Sequence, residues 1–537
     1  MAFSIRQLPF SALPFAKTDL AYIQADEALS DFYDYPPTEE SFAKAASKKQ
    51  ISATQRQLIV QELMQQYASI DTSADVLKNI ESLLSPNTFT IITAHQPTLF
   101  AGPLYCIYKI ISTINLAEHL NRIQNKNRYI PVYVMGSEDH DVAELNHISI
   151  YGKNIVWQTK QQGAIGKFST NDDTLQQALN TLKEIVGTSP TAQEIYNKIE
   201  KAYNTAATFA EATQKMYDAL FANKGLIVAD TNNDVFKQLF KNILQDEVLN
   251  FTSHRIVNQT ITQLQQAGFK AQATPRQINL FYLQNQFRER IVFEDNMYKV
   301  LNSDLTFTAK TISEQIDKHP EKFSCNVVLR PLYQESIFPN VAYIGGGGEL
   351  AYWLERKAQF EHYDVRFPIL IRRNSAQFID ASQVHKLQQF GFSWTELFAD
   401  NDTLTKQLLA QISQDEFNLT DEKNAIEKIY ATISDKLKSV DNSLIGVAKA
   451  DEVKILKMVN GIETRLVKAA KQRNEVQING LLKLKDKILP NGGLQERHDN
   501  FLQYYIKYGD DFFEAMFQNF NPLLPYFLTF EETIVKK

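Results

Sequence analysis

The sequence predicts an α/β protein with a doubly wound, mostly parallel Rossmann-like sheet, a helical insertion and a C-terminal antiparallel helical coiled-coil domain. Three observations lead to this prediction. Short apolar segments alternate with helical ones, one helical segment joins two strand-like segments with polar ends, and the last third of the chain has an almost purely helical pattern. Alternation of this kind is typical of parallel sheets, because their strands need crossover helices.

The clearest strand–helix–strand unit lies at 89–135. Its two strands, at 89–94 and 129–135, are nearly continuous apolar runs, as strands buried on both faces are. The apolar residues between them recur at helical spacing: Leu104, Ile107, Tyr108, Ile111, Ile114 and Leu116. A crossover of this type brings the carboxyl ends of both strands to one edge, where open α/β sheets bind ligands.

The rest of the chain is divided by the same patterns. We expect a lead-in and the first half of the core at 1–169, a helical insertion at 170–222, the second half at 223–381, a coiled-coil domain at 382–488, and a return to the core at 489–537. Further strands are predicted at 225–230, 279–283, 290–293, 326–330, 341–344 and 367–371.

The coiled-coil domain is predicted from apolar residues that step by three and four. One series runs through Ile426, Ile429, Ile433, Leu437, Val440, Leu444 and Val447, and a second through Ile455, Met458, Ile462, Leu466 and Ala469. A break at 448–451 separates them and predicts two antiparallel helices.

Composition excludes several classes of protein. The 56 basic and 62 acidic residues give a net charge of −6 without a basic stripe, so nucleic acid is not the expected partner. No apolar run approaches the ~20 residues needed to span a bilayer, and the N-terminus lacks a secretory pattern, so we expect a cytosolic protein. Cys106 and Cys325 lie in apolar segments and predict buried, reduced thiols.

Polar residues follow the first predicted strand. His95 can bind a phosphate oxygen or act as a general acid or base, with Gln96 and Gly102 beside the same edge. The alternative is a turn histidine bonded to backbone.

The second strand is followed by an acidic cluster around an imidazole. Glu138, Asp139, His140 and Asp141 suit an ammonium group, an acid–base pair or a divalent ion, with Asn146 and His147 nearby. A solvated acidic turn is the alternative, and the spacing matches no standard zinc pattern.

A third candidate is the glycine turn Gly345, Gly346, Gly347 and Gly348, which opens a helix at Glu349. Free N–H groups there can bind a phosphate or carboxylate, although neither a P-loop nor a dinucleotide fingerprint is present. Just upstream, Arg330 can clamp a carboxylate. The further binding candidates are Gln334, Glu335, Tyr352 and Arg497. Arg372 and Arg373, after the last strand, can serve either a ligand or a structural ion pair.

Long motifs of this chain resemble the bacillithiol biosynthesis cysteine-adding enzymes. They are ITAHQPTLFAGPLYCIYKIIS from Ile92, GSEDHDVAELNHI from Gly136, LRPLYQESIFPNVAYIGGGGELAYWLERKAQFE from Leu329 and PNGGLQERHDN from Pro490. The resemblance extends from about Phe89 to the C-terminus. One departure is Ala94-His95, where the family pattern reads Gly-Gln.

The resemblance implies a ligase that adds L-cysteine to glucosaminyl-malate through an amide bond, and a coiled coil that forms a homodimer. It also strengthens a functional role for His95, which together with Glu138, Asp139 and His140 at the next strand end is predicted to be catalytic. A free carboxylate is a poor acyl donor, so ATP is expected on chemical grounds, with Mg²⁺ only as the ion of the nucleotide. The family fold is related to class I aminoacyl-tRNA synthetases, yet neither of their signature motifs, His-x-Gly-His and Lys-Met-Ser-Lys-Ser, is present.

Two other functions remain open at this point. One is a metal-dependent hydrolase or deacetylase that uses His95, Asp139, His140 and His147. The other is a dimeric scaffold that binds a metabolite without catalysis.

Overall fold

The computed structural model describes residues 3–284, 286–412 and 419–533. Its strands are β1 (Phe3–Pro9), β2 (Thr88–His95), β3 (Arg128–Met135), β4 (His147–Ile150), β5 (Lys153–Val156), β6 (Ile227–Asp230), β7 (Leu280–Gln284), β8 (Phe287–Glu294), β9 (Met297–Val300), β10 (Thr306–Phe307), β11 (Phe323–Cys325), β12 (Asn340–Gly345), β13 (Ile369–Arg372), β14 (Ala376–Ile379) and β15 (Tyr526–Glu532).

The helices, in chain order, are α1 (Lys17–Ile23), α2 (Glu39–Lys48), α3 (Ala53–Tyr67), α4 (Ala74–Ser82), α5 (Tyr105–Ile123), α6 (Val142–Leu145), α7 (Asp173–Val186), α8 (Pro190–Asn204), α9 (Phe209–Phe221), α10 (Asp234–Asn250), α11 (Thr252–Gln266), α12 (Ala309–Lys318), α13 (Arg330–Ile337), α14 (Gly347–Leu354), α15 (Lys357–His362), α16 (Ala381–Phe390), α17 (Asn401–Ile412), α18 (Thr420–Lys438), α19 (Ile445–Arg473), α20 (Glu475–Ile488), α21 (Leu502–Tyr508) and α22 (Asp510–Asn519).

A five-stranded sheet with parallel pairing lies at the centre of the first unit, in the order β13-β12-β2-β3-β6. Both of its faces are covered, because alternate residues of β3 belong to different apolar clusters: Tyr133 to one, Val132 and Val134 to another. The chain moves outward from β2 in both directions, which makes the sheet doubly wound. The predicted Rossmann-like sheet is confirmed, as is the crossover helix, α5.

The second half of the predicted core departs from the prediction of a continuing parallel sheet. β7 to β11 form a separate five-stranded sheet, in the order β10-β9-β8-β7-β11, with antiparallel pairing. Asp295 and Asn296 both have positive φ, 54° and 62°, and connect β8 to β9 by a two-residue turn. Such turns join adjacent antiparallel strands, so this Asp-Asn pair was the signal that the parallel interpretation missed.

The strand predicted at 326–330 is also wrong. The Asn326 side chain accepts hydrogen bonds from the backbone N–H groups of Val328 and Leu329, at 2.8 and 3.3 Å, which fixes a turn. Arg330 then begins α13, with Pro331 in the first helical turn, where a missing N–H costs little. The apolar residues of this segment therefore lie in a turn and a helix, and not in a strand.

The segment predicted to be a helical insertion consists of α7, α8 and α9. Asp172, Ser189 and Thr208 cap their first turns through side-chain oxygens. Their buried faces share an apolar cluster with α5 and with aromatic residues of 501–530. These helices cover one face of the sheet together with the returning C-terminal segment.

The chain divides into two compact units. The first contains the described residues up to Phe378 together with Glu496–Phe530, and the second contains Ile379–Gln495 with the described part of 531–537. No helix in the described residues is long and apolar enough to cross a membrane.

Within the second unit, α18 and α19 pack as a hairpin, but the turn lies at 439–444 and not at the predicted 448–451. The predicted apolar series is also split between two faces. Ile426 and Leu437 are partly buried, whereas Ile429, Ile433, Met458 and Ile462 are exposed. The hairpin therefore leaves apolar side chains outside its own contact.

Candidate functional site

The candidate site lies at the carboxyl edge of the parallel sheet. Strand register places His95 opposite Met135, and Met135 opposite Asp230, so the ends of β2, β3 and β6 lie level. The strand order reverses between β2 and β12, and their ends carry His95 and Gly345. This is the position at which an open α/β sheet forms a ligand crevice.

Gln96 joins the two motifs predicted to meet at this edge. Its Nε2 donates to Asp139 Oδ2 at 2.9 Å. On its other side, His95 contacts the Gln96 carbonyl oxygen through Nδ1 at 3.0 Å and the Tyr105 hydroxyl through Nε2 at 2.9 Å. The structure thus brings His95, Gln96 and Asp139 together, and both His95 ring nitrogens have partners.

Burial lowers the pKa of His95 to about 4, and the Lys109 charge acts in the same direction. The folded protein therefore takes up this proton far less readily than an unfolded chain, in which the pKa is near the ordinary value of 6.5. At neutral pH the imidazole is uncharged.

This shift gives a stability prediction. Between about pH 6.5 and pH 4 the unfolded chain binds a proton at His95 that the folded chain does not, so the free energy of unfolding should decrease as pH falls through this window. His95→Gln should make that decrease shallower. Denaturant unfolding of both proteins across the window measures the difference, and parallel curves would contradict it.

Asp139 is held in the crevice by several hydrogen bonds and a nearby guanidinium. Its Oδ1 accepts the backbone N–H of His140 at 2.7 Å and lies 3.6 Å from Arg288 Nη1. Burial opposes ionisation, but the Arg288 charge and the hydrogen bonds from Gln96 and the His140 backbone N–H hold the pKa of Asp139 well below its ordinary value. Asp139 is therefore a fixed negative charge.

Glu138 faces the interior. Its Oε2 accepts from Ser324 Oγ at 2.7 Å, and its Oε1 pairs with the fully buried Lys237 of α10. Lys237 also donates to the Phe323 carbonyl at 2.7 Å. This carboxylate joins the parallel sheet to β11 of the antiparallel sheet, an arrangement that supports the crevice wall.

Lys109 and Glu349 form a buried ion pair beside the crevice. Lys109 Nζ, fully buried in α5, lies 2.8 and 2.9 Å from the two Glu349 oxygens and 2.5 Å from the Ala94 carbonyl. Burial opposes ionisation of Glu349, but the Lys109 charge and the Gly346 N–H lower its pKa to about 2. The Tyr343 hydroxyl donates to the same carboxylate at 2.7 Å.

Side chains of the protein itself already contact two of the four glycines in the turn, Gly346 and Gly347. The Gly346 N–H donates to Glu349 Oε2 at 2.9 Å as a helix cap. A Cβ on Gly347 would lie 1.9 Å from Asp19 Oδ2, so packing against Asp19 already requires glycine there. At Gly348 a Cβ would meet nothing within 4 Å, so this position is open.

The arginines beside the turn have different partners. Arg330 Nη2 donates to the Tyr352 hydroxyl at 2.7 Å, and the charge of the Glu349 carboxylate also acts on this guanidinium. Arg373 makes two bonds to Glu496, at 2.7 and 3.0 Å, and Arg372 pairs with Asp19 at 3.1 Å. Arg372 and Arg373 thus form the structural ion pairs that the sequence left open. Arg497 is exposed, and its charge acts on Tyr105 and Glu496.

Two predicted binding residues lie elsewhere. Gln334 and Glu335 are buried in α13, and Glu335 accepts from Asn340 Nδ2 at 2.7 Å and pairs with Lys49. Asn340 begins β12, so this group lies at the amino edge of the sheet, opposite the crevice. The predicted strand before Arg330 caused this error, because a helix turns these side chains inward.

Other predicted residues have local structural partners. Asp141 caps α6, and Asn146 Nδ2 donates to the Trp157 carbonyl at 3.1 Å. His147 is exposed at the start of β4. Gly102 has φ +62° and its carbonyl accepts from Asn500 Nδ2 at 2.7 Å, so it shapes the turn after β2.

Sequence reasoning missed Lys109, Lys237 and Arg288. The role of Lys109 could have been recognised, because it is the single charged residue in the apolar helix segment CIYKIIS. A buried lysine is rarely found without a partner, so this pattern indicated an ion pair. Lys237 and Arg288 had no comparable local signal.

A doubly wound sheet with a charged, hydrogen-bonded crevice at its switch point, followed by a helical hairpin, defines an α/β enzyme with a coiled-coil appendage. The chain belongs to the bacillithiol biosynthesis BshC family. Residues 4–374 match its N-terminal Rossmann-like domain, and residues 376–532 match its C-terminal coiled-coil domain. The resemblance predicted from the motifs is confirmed.

Curated relatives support this assignment over nearly the whole chain. The proteins of Flavobacterium johnsoniae and Cytophaga hutchinsonii are 37% and 35% identical, covering 95% and 97% of this chain and 96% and 98% of theirs. That of Bacillus cytotoxicus is 26% identical, covering 92% of this chain and 94% of its own. Each is named "Putative cysteine ligase BshC". These names confirm the predicted class, a ligase of bacillithiol biosynthesis.

Proposed function

We propose that this protein joins the carboxyl group of L-cysteine to the amine of glucosaminyl-malate, forming an amide bond with consumption of ATP. The observation that carries the proposal is the Gln96–Asp139 hydrogen bond, which unites two motifs of the family in one crevice at the sheet edge. The crevice has an ionised carboxylate at Asp139 and a guanidinium at Arg330. The proposed substrates carry both an ammonium group and carboxylates, which these two charges suit.

The chain's residues would have separate tasks in this reaction. Asp139 would hold the ammonium group, and Arg330 would hold a carboxylate. His95, uncharged at neutral pH, would keep Tyr105 and the Gln96 backbone in place without adding charge. The Lys109–Glu349 pair would keep the glycine turn in place.

ATP would supply the leaving group that a free carboxylate lacks. The groups available to its phosphates are Arg330 and the open position at Gly348, at the start of α14. The hydrogen bond of Arg330 goes to a hydroxyl and not to a carboxylate, so the guanidinium suits an anion of this kind. The Gly346 N–H is less suited to binding a phosphate, because Glu349 already accepts its hydrogen bond.

The geometry favours the ligase over a metal-dependent hydrolase. Both His95 nitrogens have protein partners, and His140 Nδ1 contacts Arg288. In the part of the chain that the structure describes, no group of three or more His, Cys, Asp or Glu side chains is arranged to hold a metal ion.

The experiment is direct: the purified protein is incubated with L-cysteine, glucosaminyl-malate and ATP, and the thiol product is measured by mass spectrometry. Product that requires all three compounds supports the proposal. Binding of glucosaminyl-malate without product would favour the scaffold.

We also propose that the protein is a cytosolic homodimer formed through α18 and α19. The support is the exposed apolar series: Ile433 is 38%, Ile462 52% and Met458 70% exposed. Apolar residues recurring on the outer face of a helical hairpin are the pattern that a second helical pair covers. A second copy of this chain offers the same pattern.

Ile433→Glu combined with Met458→Glu should convert the dimer to a monomer while the helices remain, because both side chains are exposed in a single copy of the chain. Light scattering and circular dichroism measure the two quantities. Lys436→Glu, at another exposed position of α18, is the matched control and should leave the dimer intact. A monomeric unmodified protein would contradict the proposal.

A further inference from the structure

Arg288 of β8 reaches from the antiparallel sheet into the crevice. Its guanidinium is buried and held on several sides: Nε donates to Ser324 Oγ at 2.9 Å, Nη2 donates to the Cys325 carbonyl at 3.0 Å, and the group stacks 3.9 Å from the centre of the Phe281 ring. The remaining nitrogen, Nη1, lies 2.9 Å from His140 Nδ1. The position of this nitrogen is therefore set by the antiparallel sheet.

We propose that Arg288 is a positioning residue that fixes the His140 imidazole in the tautomer with its proton on Nε2. A guanidinium has only hydrogen-bond donors, so a contact at 2.9 Å requires Nδ1 to accept. The proton of the neutral ring must then lie on Nε2.

The competing arrangement would place a proton on Nδ1 and direct it at Asp139. The distance from Nδ1 to Asp139 Oδ1 is 3.5 Å, longer than the contact with Arg288. A proton on Nδ1 would also face the N–H of Arg288. In the Nε2–H tautomer, Nδ1 accepts from Arg288, and Asp139 Oδ1 accepts instead from the backbone N–H of His140 at 2.7 Å.

The tautomer determines what His140 contributes, and this step rests on the proposed function. An Nε2–H group donates a hydrogen bond to a substrate oxygen. Accepting a proton from the substrate amine would instead create a cation beside Arg288. We therefore assign His140 the role of a donor and not of a general base.

The tautomer can be measured without turnover. The protein is labelled with ¹⁵N in its histidine rings, and the His140 signals are assigned by their absence in His140→Gln. The expected spectrum of the unmodified protein has an unprotonated Nδ1 and a protonated Nε2. A protonated Nδ1 would overturn the proposal, whatever the activity of the protein.

A double-mutant cycle tests whether Arg288 acts through His140. Arg288→Met should lower kcat about tenfold, yet by less than about twofold in a His140→Gln background. Arg288→Lys should not restore activity, because an ammonium lacks the planar fork that reaches three partners. The control is Arg290→Met, an exposed arginine on the same strand.

The outcomes separate the two proposals. Losses that multiply in the double mutant, or rescue by lysine, would overturn the positioning role. An unmodified protein that is inactive with these substrates would count against the proposed function alone, since the tautomer measurement still decides the role of Arg288.

Discussion

Asp139→Asn should lower turnover by about a hundredfold or more, within the range that a positioned acid–base or charged group contributes. The substitution keeps the shape of the side chain but removes the negative charge that faces Arg288 and the proposed ammonium group. It also replaces one carboxylate oxygen by an NH2 group, so either Gln96 Nε2 or the His140 N–H loses its acceptor. The product is measured by mass spectrometry, and folding by circular dichroism.

Asp141→Asn is the matched control, since Asp141 lies two residues away and is exposed. Its carboxylate only caps α6, where asparagine is an equally good cap. Turnover should therefore remain close to that of the unmodified protein. A folded Asp139→Asn variant with full activity would remove Asp139 from the site.

The central part of this fold could be predicted because its signals are local. The helical spacing from Leu104 to Leu116 and the apolar runs of β2 and β3 are readable within one segment each. Because the two strands are parallel, the polar residues that follow them lie at the same edge of the sheet. The Gln96–Asp139 hydrogen bond follows from this reasoning, although its geometry does not.

Apart from the Asp295-Asn296 turn between β8 and β9, the antiparallel sheet had no local signal of its pairing, and the ion pairs had none of their partners. An apolar segment such as 290–293 predicts a strand but not the direction of its neighbour. Arg288 and His140 are 148 positions apart, and Arg373 and Glu496 are 123 apart. One sequence carries no pattern that pairs such residues. In the coiled coil, apolar residues spaced by three and four positions occur on two faces of each helix. The sequence does not show which of these faces is buried, because that depends on packing.

Lys109→Met should destabilise the first unit by about 3 kcal/mol, the lower end of the cost of breaking a buried ion pair. Lys109 is fully buried, whereas the Glu349 side chain is 24% exposed, so water can partly solvate the carboxylate that remains. The Tyr343 hydroxyl and the Gly346 N–H still donate to it. The Ala94 carbonyl, beside His95, loses its Lys109 donor, so turnover should fall as well. Denaturant unfolding measures the stability change.

A double-mutant cycle with Glu349→Gln isolates the pair from other effects of the substitution. Glu349→Gln alone leaves a buried ammonium that keeps the Ala94 carbonyl as a partner, so it should also destabilise the protein. The double variant has neither charge, and its loss should be smaller than the sum of the two single losses. Arg122→Met, at an exposed position in the last turn of the same helix, controls for removing a positive charge from α5. Additive losses would mean that the two residues stabilise the fold independently, and that the pair does not hold the glycine turn against β2.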